Sequence, residues 1–127
     1  MKYKVTFGIG LDKTAEGKPL AGALKATGYN LNKAIRYLQT ETARYFGGYT
    51  AVRGQGGWYD RERGKLVEER SLTLTTYVDG DRGLSDAREL AALCARTLLQ
   101  SQVLFSYTPA VLEFVDAAPA QAEGRAA

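Results

Sequence analysis

The first residues of the chain alternate between apolar and polar side chains. Tyr3, Val5, Phe7 and Ile9 fall on one face, with lysine, threonine and glycine between them. Strict alternation of β-branched and aromatic residues predicts a strand with one buried face. The stretch from Asp12 to Gly28 is rich in Gly, Lys and Thr, which predicts a long loop. Loops of this length are usually functional or mobile, so a role as a lid stays open.

A helical period replaces the alternation after residue 30. Asn30 is a favourable N-cap, and Gly47 is suited to the left-handed residue that ends many helices. Tyr37 and Tyr45 lie beside or on the apolar stripe, so they are expected to pack in the core. The stripe is formed by Leu31, Ala34, Ile35, Leu38, Thr42 and Tyr45.

Two further strand-like segments, Tyr49 to Tyr59 and Lys65 to Val78, flank a polar turn. Gly64 is suited to the positive φ that closes many hairpins. The first segment is interrupted by glycines at positions 54, 56 and 57. They predict either a β-bulge with Trp58 packed inside the protein, or a place where a ligand approaches the backbone closely.

The second half of the chain repeats the order helix, strand. A turn is predicted from Asp79 to Gly83, followed by a helix that starts at a capping box of Asp86 and Glu89 and ends near Gln100. The remaining segments are a strand through Val103, Phe105 and Tyr107, which Pro109 is expected to end, and a short edge strand from Val111 to Val115.

These elements follow one another as β-α-β-β-α-β, the order of the ferredoxin-like α+β fold. Its antiparallel sheet carries both helices on one face and leaves the other open. Small folds of this kind often cover the open face by assembly, so a homo-oligomer is expected. We assign residues 1–116 to a single domain. Residues 117–127 are dominated by Ala, Pro, Gln, Glu and Gly, which predicts a disordered tail.

Composition narrows the chemistry. The 127 residues include no histidine and one cysteine, Cys94, which excludes a Ser-His-Asp or Cys-His nucleophile and argues against a zinc site. Binding therefore leads over catalysis, and no catalytic residue, metal or cofactor is expected. A net charge of +3 is too small to predict a nucleic-acid partner. No apolar run reaches the ~18 residues of a membrane span and no signal peptide is visible, so a cytoplasmic protein is expected.

The unusual residues concentrate in the central hairpin. Aromatic faces, arginine forks and exposed backbone N–H groups together suit a small anionic ligand of the nucleotide type. Glu68 and Glu69 are adjacent in a strand and point to opposite faces, so an ion pair of one of them with Arg53 or Arg70 is the alternative to a ligand contact. The predicted ligand-binding residues are Tyr49, Arg53, Gln55, Gly56, Gly57, Trp58, Tyr59, Glu69 and Arg70.

Several short motifs in the same region form a recognisable set. They are Phe-Gly-Gly-Tyr-Thr at 46–50, Gly-x-Gly-Gly-Trp at 54–58, Gly-x-Leu-Val-x-Glu-x-Ser at 64–71, and Gln102 beside Val103. Together they resemble a group of small phage proteins that look like ferredoxin-like domains of the PII and CutA type. PII-like trimers hold nucleotides near this hairpin, so the resemblance implies a nucleotide ligand.

The resemblance also implies a biological setting. Phage domains without catalytic groups include proteins that sequester the signalling nucleotides of host immunity, and we expect such a sponge, acting in the host cytoplasm. Two alternatives remain at this point: a phosphodiesterase that cleaves the same signal, and a protein-interaction module that inhibits a host factor.

Overall fold

The computed structural model describes residues 1–117 of the chain. These residues form seven elements. In order along the chain they are β1 (Lys2–Gly10), α1 (Leu20–Ala26), α2 (Leu31–Phe46), β2 (Thr50–Asp60), β3 (Lys65–Asp79), α3 (Gly80–Thr97) and β4 (Leu104–Ala110).

The four strands form one antiparallel sheet in the order β2-β3-β1-β4. The two long helices, α2 and α3, pack on one face of the sheet, and the short α1 packs against α2. This is the predicted ferredoxin-like α+β fold with one additional helix. We call the uncovered side of the sheet the open face.

Strand alternation decides which residues enter the core. Phe7 of β1 is paired with Leu74 of β3, and Ile9 with Leu72, and all four side chains are buried between sheet and helices. Cross-strand partners share a face of the sheet, so the residues between them point to the open face. The helices contribute Leu20, Leu24, Ala34, Ile35, Leu38, Leu90 and Cys94 to the same core, and Leu98 joins them just after α3.

The predicted ends of α2 and the predicted hairpin turn are confirmed. The side chain of Asn30 accepts a hydrogen bond from the backbone N–H of Lys33 at 2.8 Å. Gly47 ends the helix with a φ of 91°, and Gly64 closes the β2–β3 turn with a φ of 66°. Both glycines therefore lie in the left-handed region where a side chain would be strained.

The two tyrosines expected in the core are exposed instead. Tyr37 is 41% exposed and Tyr45 is 66% exposed. The buried positions of α2 are Ala34, Ile35, Leu38 and Thr42. The buried face of α2 is thus narrower than the stripe of apolar residues in its sequence. Tyr37 lies beside the buried face, and Tyr45 lies beyond Thr42, its last buried residue.

The prediction of one long loop from Asp12 to Gly28 is wrong. Its second half forms α1, because Leu20 and Leu24 are four residues apart and both are buried. The first half is held in place by backbone hydrogen bonds from Thr14 to Lys18 at 2.8 Å, and from residue 15 to residue 99 at 2.8 Å. A seven-residue helix containing a glycine has little propensity of its own and depends on this packing.

The predicted turn from Asp79 to Gly83 is the start of α3. The helix begins at Gly80, six residues before the expected capping box, and ends at Thr97. Gly83 serves packing, since a Cβ there would lie 2.9 Å from Cβ of Val78 on the preceding strand. Helix and strand approach so closely that only glycine fits.

The last strand runs through Pro109 to Ala110. Because β4 lies at the edge of the sheet and, among residues 1–117, pairs with β1 alone, a missing N–H is tolerated there. The expected strand from Val111 to Val115 is not formed, and the side chains of Val111 and Phe114 are exposed. All but the first residue of the predicted disordered tail, 117–127, lies outside the described residues.

Within residues 1–117, no helix is both long and apolar enough to cross a membrane. The same residues contain no group of three or more side chains suited to hold a metal ion.

Candidate functional site

The glycine-rich stretch of β2 is paired without interruption. Gly54 lies opposite Ser71, Gly56 opposite Glu69, and each β2 residue from Thr50 to Asp60 has one partner on β3. The alternative of a β-bulge is therefore wrong. The accompanying expectation of a packed indole is wrong as well, since Trp58 is 55% exposed.

The far half of this hairpin projects beyond the rest of the sheet. The partner strand β1 reaches β3 only as far as Ser71, so residues 55–70 form a two-stranded ribbon that we call the hairpin arm. Trp58, Tyr59 and Leu66 on the arm are each more than half exposed. A two-stranded ribbon in water is only marginally stable, so an arm with these side chains is suited to contact something else.

The predicted ligand residues are divided between the two faces of the sheet. Because neighbouring residues of a strand point in opposite directions, Gly56 and Trp58 face the open side, as does Glu69 opposite Gly56. The others belong to the helix side, in register with the core positions of β3. These are Arg53, Gln55, Gly57, Tyr59 and Arg70. Tyr49 precedes β2 and is also on the helix side, because its hydroxyl donates to the side-chain oxygen of Gln39 on α2 at 3.4 Å.

On the open face, glycines form a flat floor beside Glu69. Gly10 of β1 and Gly54 and Gly56 of β2 flank Ser71, and we call these four residues the glycine floor. A Cβ at Gly10 would lie 2.9 Å from both carboxylate oxygens of Glu69. The carboxylate therefore lies over the glycine backbone, where a side chain on β1 would displace it.

Glu69 is also without a partner among the described residues. It makes no side-chain hydrogen bond and no ion pair within residues 1–117, although it is only half-exposed. The expected ion pair with Arg53 or Arg70 is not formed. A carboxylate held on a flat floor with free acceptor oxygens can accept hydrogen bonds from a ligand or face a positive charge.

The polar residues on the helix side of the arm are already engaged. The Arg70 backbone N–H donates to Asp12 at 2.8 Å, and its guanidinium donates to the same carboxylate at 2.6 Å. These hydrogen bonds lower the pKa of Asp12 below its ordinary value of 3.8. Gln55 donates to Glu68. Arg70 and Gln55 thus hold the base of the arm in place.

Two residues outside the hairpin have defined structural roles. Cys94 is buried in α3, and burial raises the pKa of its thiol to about 12, so the thiol is inert at neutral pH. The side-chain amide of Gln100 donates to the carbonyls of Lys13 and Leu98 at 2.8 and 2.9 Å. Gln100 therefore satisfies backbone carbonyls at the end of α3 and in the segment that follows β1.

Sequence reasoning missed the contribution of Gly10 to the site. A signal was present, because Gly8 and Gly10 occupy the polar positions of an otherwise alternating strand. Two glycines on one face of a strand remove side chains from that face and mark a surface that something else approaches.

Comparison with known proteins adds a structural likeness. No family model and no curated protein matches the chain. Among solved structures it is similar to a phage SAM lyase in complex with S-methyl-5'-thioadenosine, with a TM-score of 0.54 and 14% identity over 84% of this chain and 80% of that one. It is also similar to a phage SAM lyase in the apo state, with a TM-score of 0.57 and 12% identity over 84% and 78% of the two chains. At these identities the likeness establishes the fold.

Proposed function

We propose that this chain binds S-adenosylmethionine (SAM) on the open face of the hairpin arm and cleaves it to S-methyl-5'-thioadenosine. The observation that carries the proposal is the Glu69 carboxylate on the glycine floor, which has no partner within residues 1–117 and lies beside an exposed Trp58, in a fold shared with phage SAM lyases. The motif resemblance to small phage proteins is consistent with this proposal and stays a prediction.

The open face suits an uncharged nucleoside with a positive group attached. Trp58 offers an aromatic face for a purine, and the glycine floor admits a flat ligand close to the sheet. The two hydroxyls of a ribose are matched to the two free oxygens of Glu69. The carboxylate also favours a sulfonium over a phosphate, so on this face the expected anionic nucleotide is replaced by a cationic one.

Cleavage of a sulfonium can proceed without an acid, a base or a nucleophile from the protein. If the substrate's own carboxylate oxygen attacks the γ-carbon, a C–O bond forms and the γ-carbon–sulfur bond breaks with its electron pair on sulfur. The products are a neutral thioether, S-methyl-5'-thioadenosine, and a lactone, with no water consumed and no proton moved by the protein. A chain without histidine and with its one thiol buried can perform this reaction by orienting its substrate.

Sequestration is the second candidate. The same composition that permits a self-contained cleavage also suits a sponge, which needs no group that moves protons. Product analysis separates the two, because a sponge returns SAM intact after heat release whereas a lyase returns S-methyl-5'-thioadenosine. Cleavage of a phosphodiester instead of SAM would support the phosphodiesterase alternative.

The decisive experiment compares Glu69→Gln with the neighbouring Glu68→Gln. Both variants remove one negative charge from the arm, but Glu69 faces the glycine floor and Glu68 faces Gln55. With SAM as substrate and chromatography of the products, E69Q is expected to lose at least about tenfold in rate, the loss of one to two charge-assisted hydrogen bonds. E68Q is expected to remain within about twofold. Equal activity of E69Q and the parent chain contradicts the proposal.

We further propose that the arm is covered by a second copy of the chain. Exposed apolar side chains lie on both of its faces, with Trp58 on the open side and Tyr59 and Leu66 on the helix side. One bound nucleoside covers only one face, so the apolar side chains on the other face are available to a macromolecular neighbour. The expected homo-oligomer supplies it.

A further inference from the structure

A second groove lies on the helix side of the sheet, away from the glycine floor. It runs between α2 and the edge strand β2, and its open volume is about 720 Å³. Tyr29, Lys33, Arg36 and Tyr37 line it from the α2 side, and Arg53 lines it from β2. Its size is within the range of small-molecule sites.

Every charged residue that lines this groove is a cation. Lys33, Arg36 and Arg53 form no ion pair within residues 1–117. The nearest acid along α2 after Arg36 is Glu41, which is paired with Arg44 at 2.7 Å. Three uncompensated cations converging on one concave surface create a local positive potential that favours an anion.

The groove also contains aromatic and orienting groups. Lys33, Arg36, Tyr37 and residue 40 recur at helical spacing on the same exposed face of α2. The guanidinium of Arg53 donates to the side chain of Asn32 at 3.3 Å, which directs it toward the helix across the groove. Tyr29 and Tyr37 supply ring faces within the same lining.

We propose that this groove is a binding site for a phosphorylated nucleoside, separate from the SAM site. The phosphates lie among Lys33, Arg36 and Arg53, and a tyrosine ring takes the base. The groove and the glycine floor are on opposite faces of the sheet, so both can be occupied together. Three cations match the charge of a nucleoside diphosphate better than that of a long nucleic acid, for which the net charge of +3 is small.

Calorimetric titration of the full chain with ADP at 50 mM NaCl tests the proposal. The matched variants are Arg36→Glu and Arg61→Glu, which change the net charge equally. Arg61 lies in the hairpin turn, about 26 Å from Arg53 along the strand direction, and is not ion-paired within the described residues. We expect R36E to weaken ADP binding by at least about tenfold and R61E to change it by less than about threefold. Adenosine, which lacks phosphate, should bind at least about tenfold more weakly than ADP.

Several outcomes would overturn the proposal. ADP binding that is absent, or weakened equally by R36E and R61E, leaves no specific site. Loss of ADP binding in E69Q would place ADP on the glycine floor, whereas retained SAM cleavage in R36E supports two independent sites. A 12-nucleotide single strand that binds more tightly than ADP and is lost in R36E would make the groove a nucleic-acid surface. Thermal unfolding of R36E, whose substituted side chain is exposed, separates lost binding from lost folding.

Discussion

A single ion pair joins the hairpin arm to the end of β1. Asp12 follows the strand and receives two hydrogen bonds from Arg70, one from the backbone and one from the guanidinium. The contact spans 58 positions in sequence, so it fixes a long-range part of the fold. Because the guanidinium is largely exposed, solvent screens the pair and its contribution to stability is modest.

We expect Asp12→Asn to lower the free energy of unfolding by about 1 kcal/mol or less at neutral pH, a shift of a few degrees in Tm. The pKa of Asp12 is lowered by folding, so the ionised carboxylate stabilises the native state above the ordinary value of 3.8. This stabilisation is lost as the pH falls through the lower pKa of the folded state. Thermal unfolding from pH 7 to pH 2.5 should therefore show the gap between D12N and the parent chain closing in acid.

A gap that persists unchanged at the acid end would contradict this account of Asp12. It would mean that the asparagine perturbs packing and that the charge itself contributes nothing. The exposed pair of Lys2 and Asp79, at 2.9 Å, is the matched comparison. Asp79→Asn should lower the free energy of unfolding at pH 7 by less than Asp12→Asn does, because both side chains of the Lys2–Asp79 pair are solvated.

At the scale of elements, two helical glycines have opposite roles. A Cβ at Gly83 of α3 would lie 2.9 Å from Cβ of Val78 and 3.3 Å from its carbonyl carbon, whereas a Cβ at Gly22 of α1 would meet nothing within 4 Å. Neither glycine has a positive φ, so backbone strain does not distinguish them. The difference between them is the distance to the neighbouring strand.

We expect Gly83→Ala to destabilise the protein by about 1–3 kcal/mol, because α3 must move away from β3. Gly22→Ala should stabilise it by up to about 1 kcal/mol through helix propensity. Urea unfolding of the two variants against the parent chain measures both effects. Destabilisation of equal size in both would show that the close approach of α3 to β3 is not what requires glycine.

Sequence periodicity predicted those elements whose local signals agree with their packing. The first strand alternates cleanly, and α2 has both an N-cap at Asn30 and a left-handed glycine at its end. The prediction from periodicity failed for elements whose tertiary packing overrides their local propensity. Helix α1 forms because Leu20 and Leu24 enter a core built by residues distant in sequence. Gly83 is typical of a turn in the sequence, and its place inside α3 is explained only by the close approach of Val78.

Sequence reasoning named Trp58 and Glu69 of the candidate site but missed Gly10 and the arrangement of the three residues. Strict alternation along each strand separates Trp58 from Arg53 and Glu69 from Arg70, but it does not relate one strand to the other. The sequence does not show the register between neighbouring strands, and this register is what brings Gly10 of β1 beneath Glu69 of β3. The pairing of Arg70 with Asp12 depends on the same register.

At the scale of the whole molecule, the two proposed ligand surfaces lie on opposite sides of one sheet. The open face presents a carboxylate and an indole, and the α2 groove presents three cations and two phenol rings. Because the two surfaces carry opposite charges, we expect a cationic nucleoside to bind the open face and an anionic nucleoside to bind the groove beside α2. The hairpin arm contributes to the open-face site and extends beyond the sheet that supports it.

The exposed arm leads to a prediction about assembly. Leu66 is 59% exposed on the helix side of the arm, and Val111, which follows β4, is fully exposed. If a second copy covers the arm, Leu66→Lys places a charge in that interface and should shift the mass measured by light scattering toward the monomer. Val111→Lys adds the same charge outside the arm and should leave the oligomer intact. A parent chain that is monomeric at every concentration would mean that no second copy covers the arm, and equal dissociation by both variants would locate the interface elsewhere.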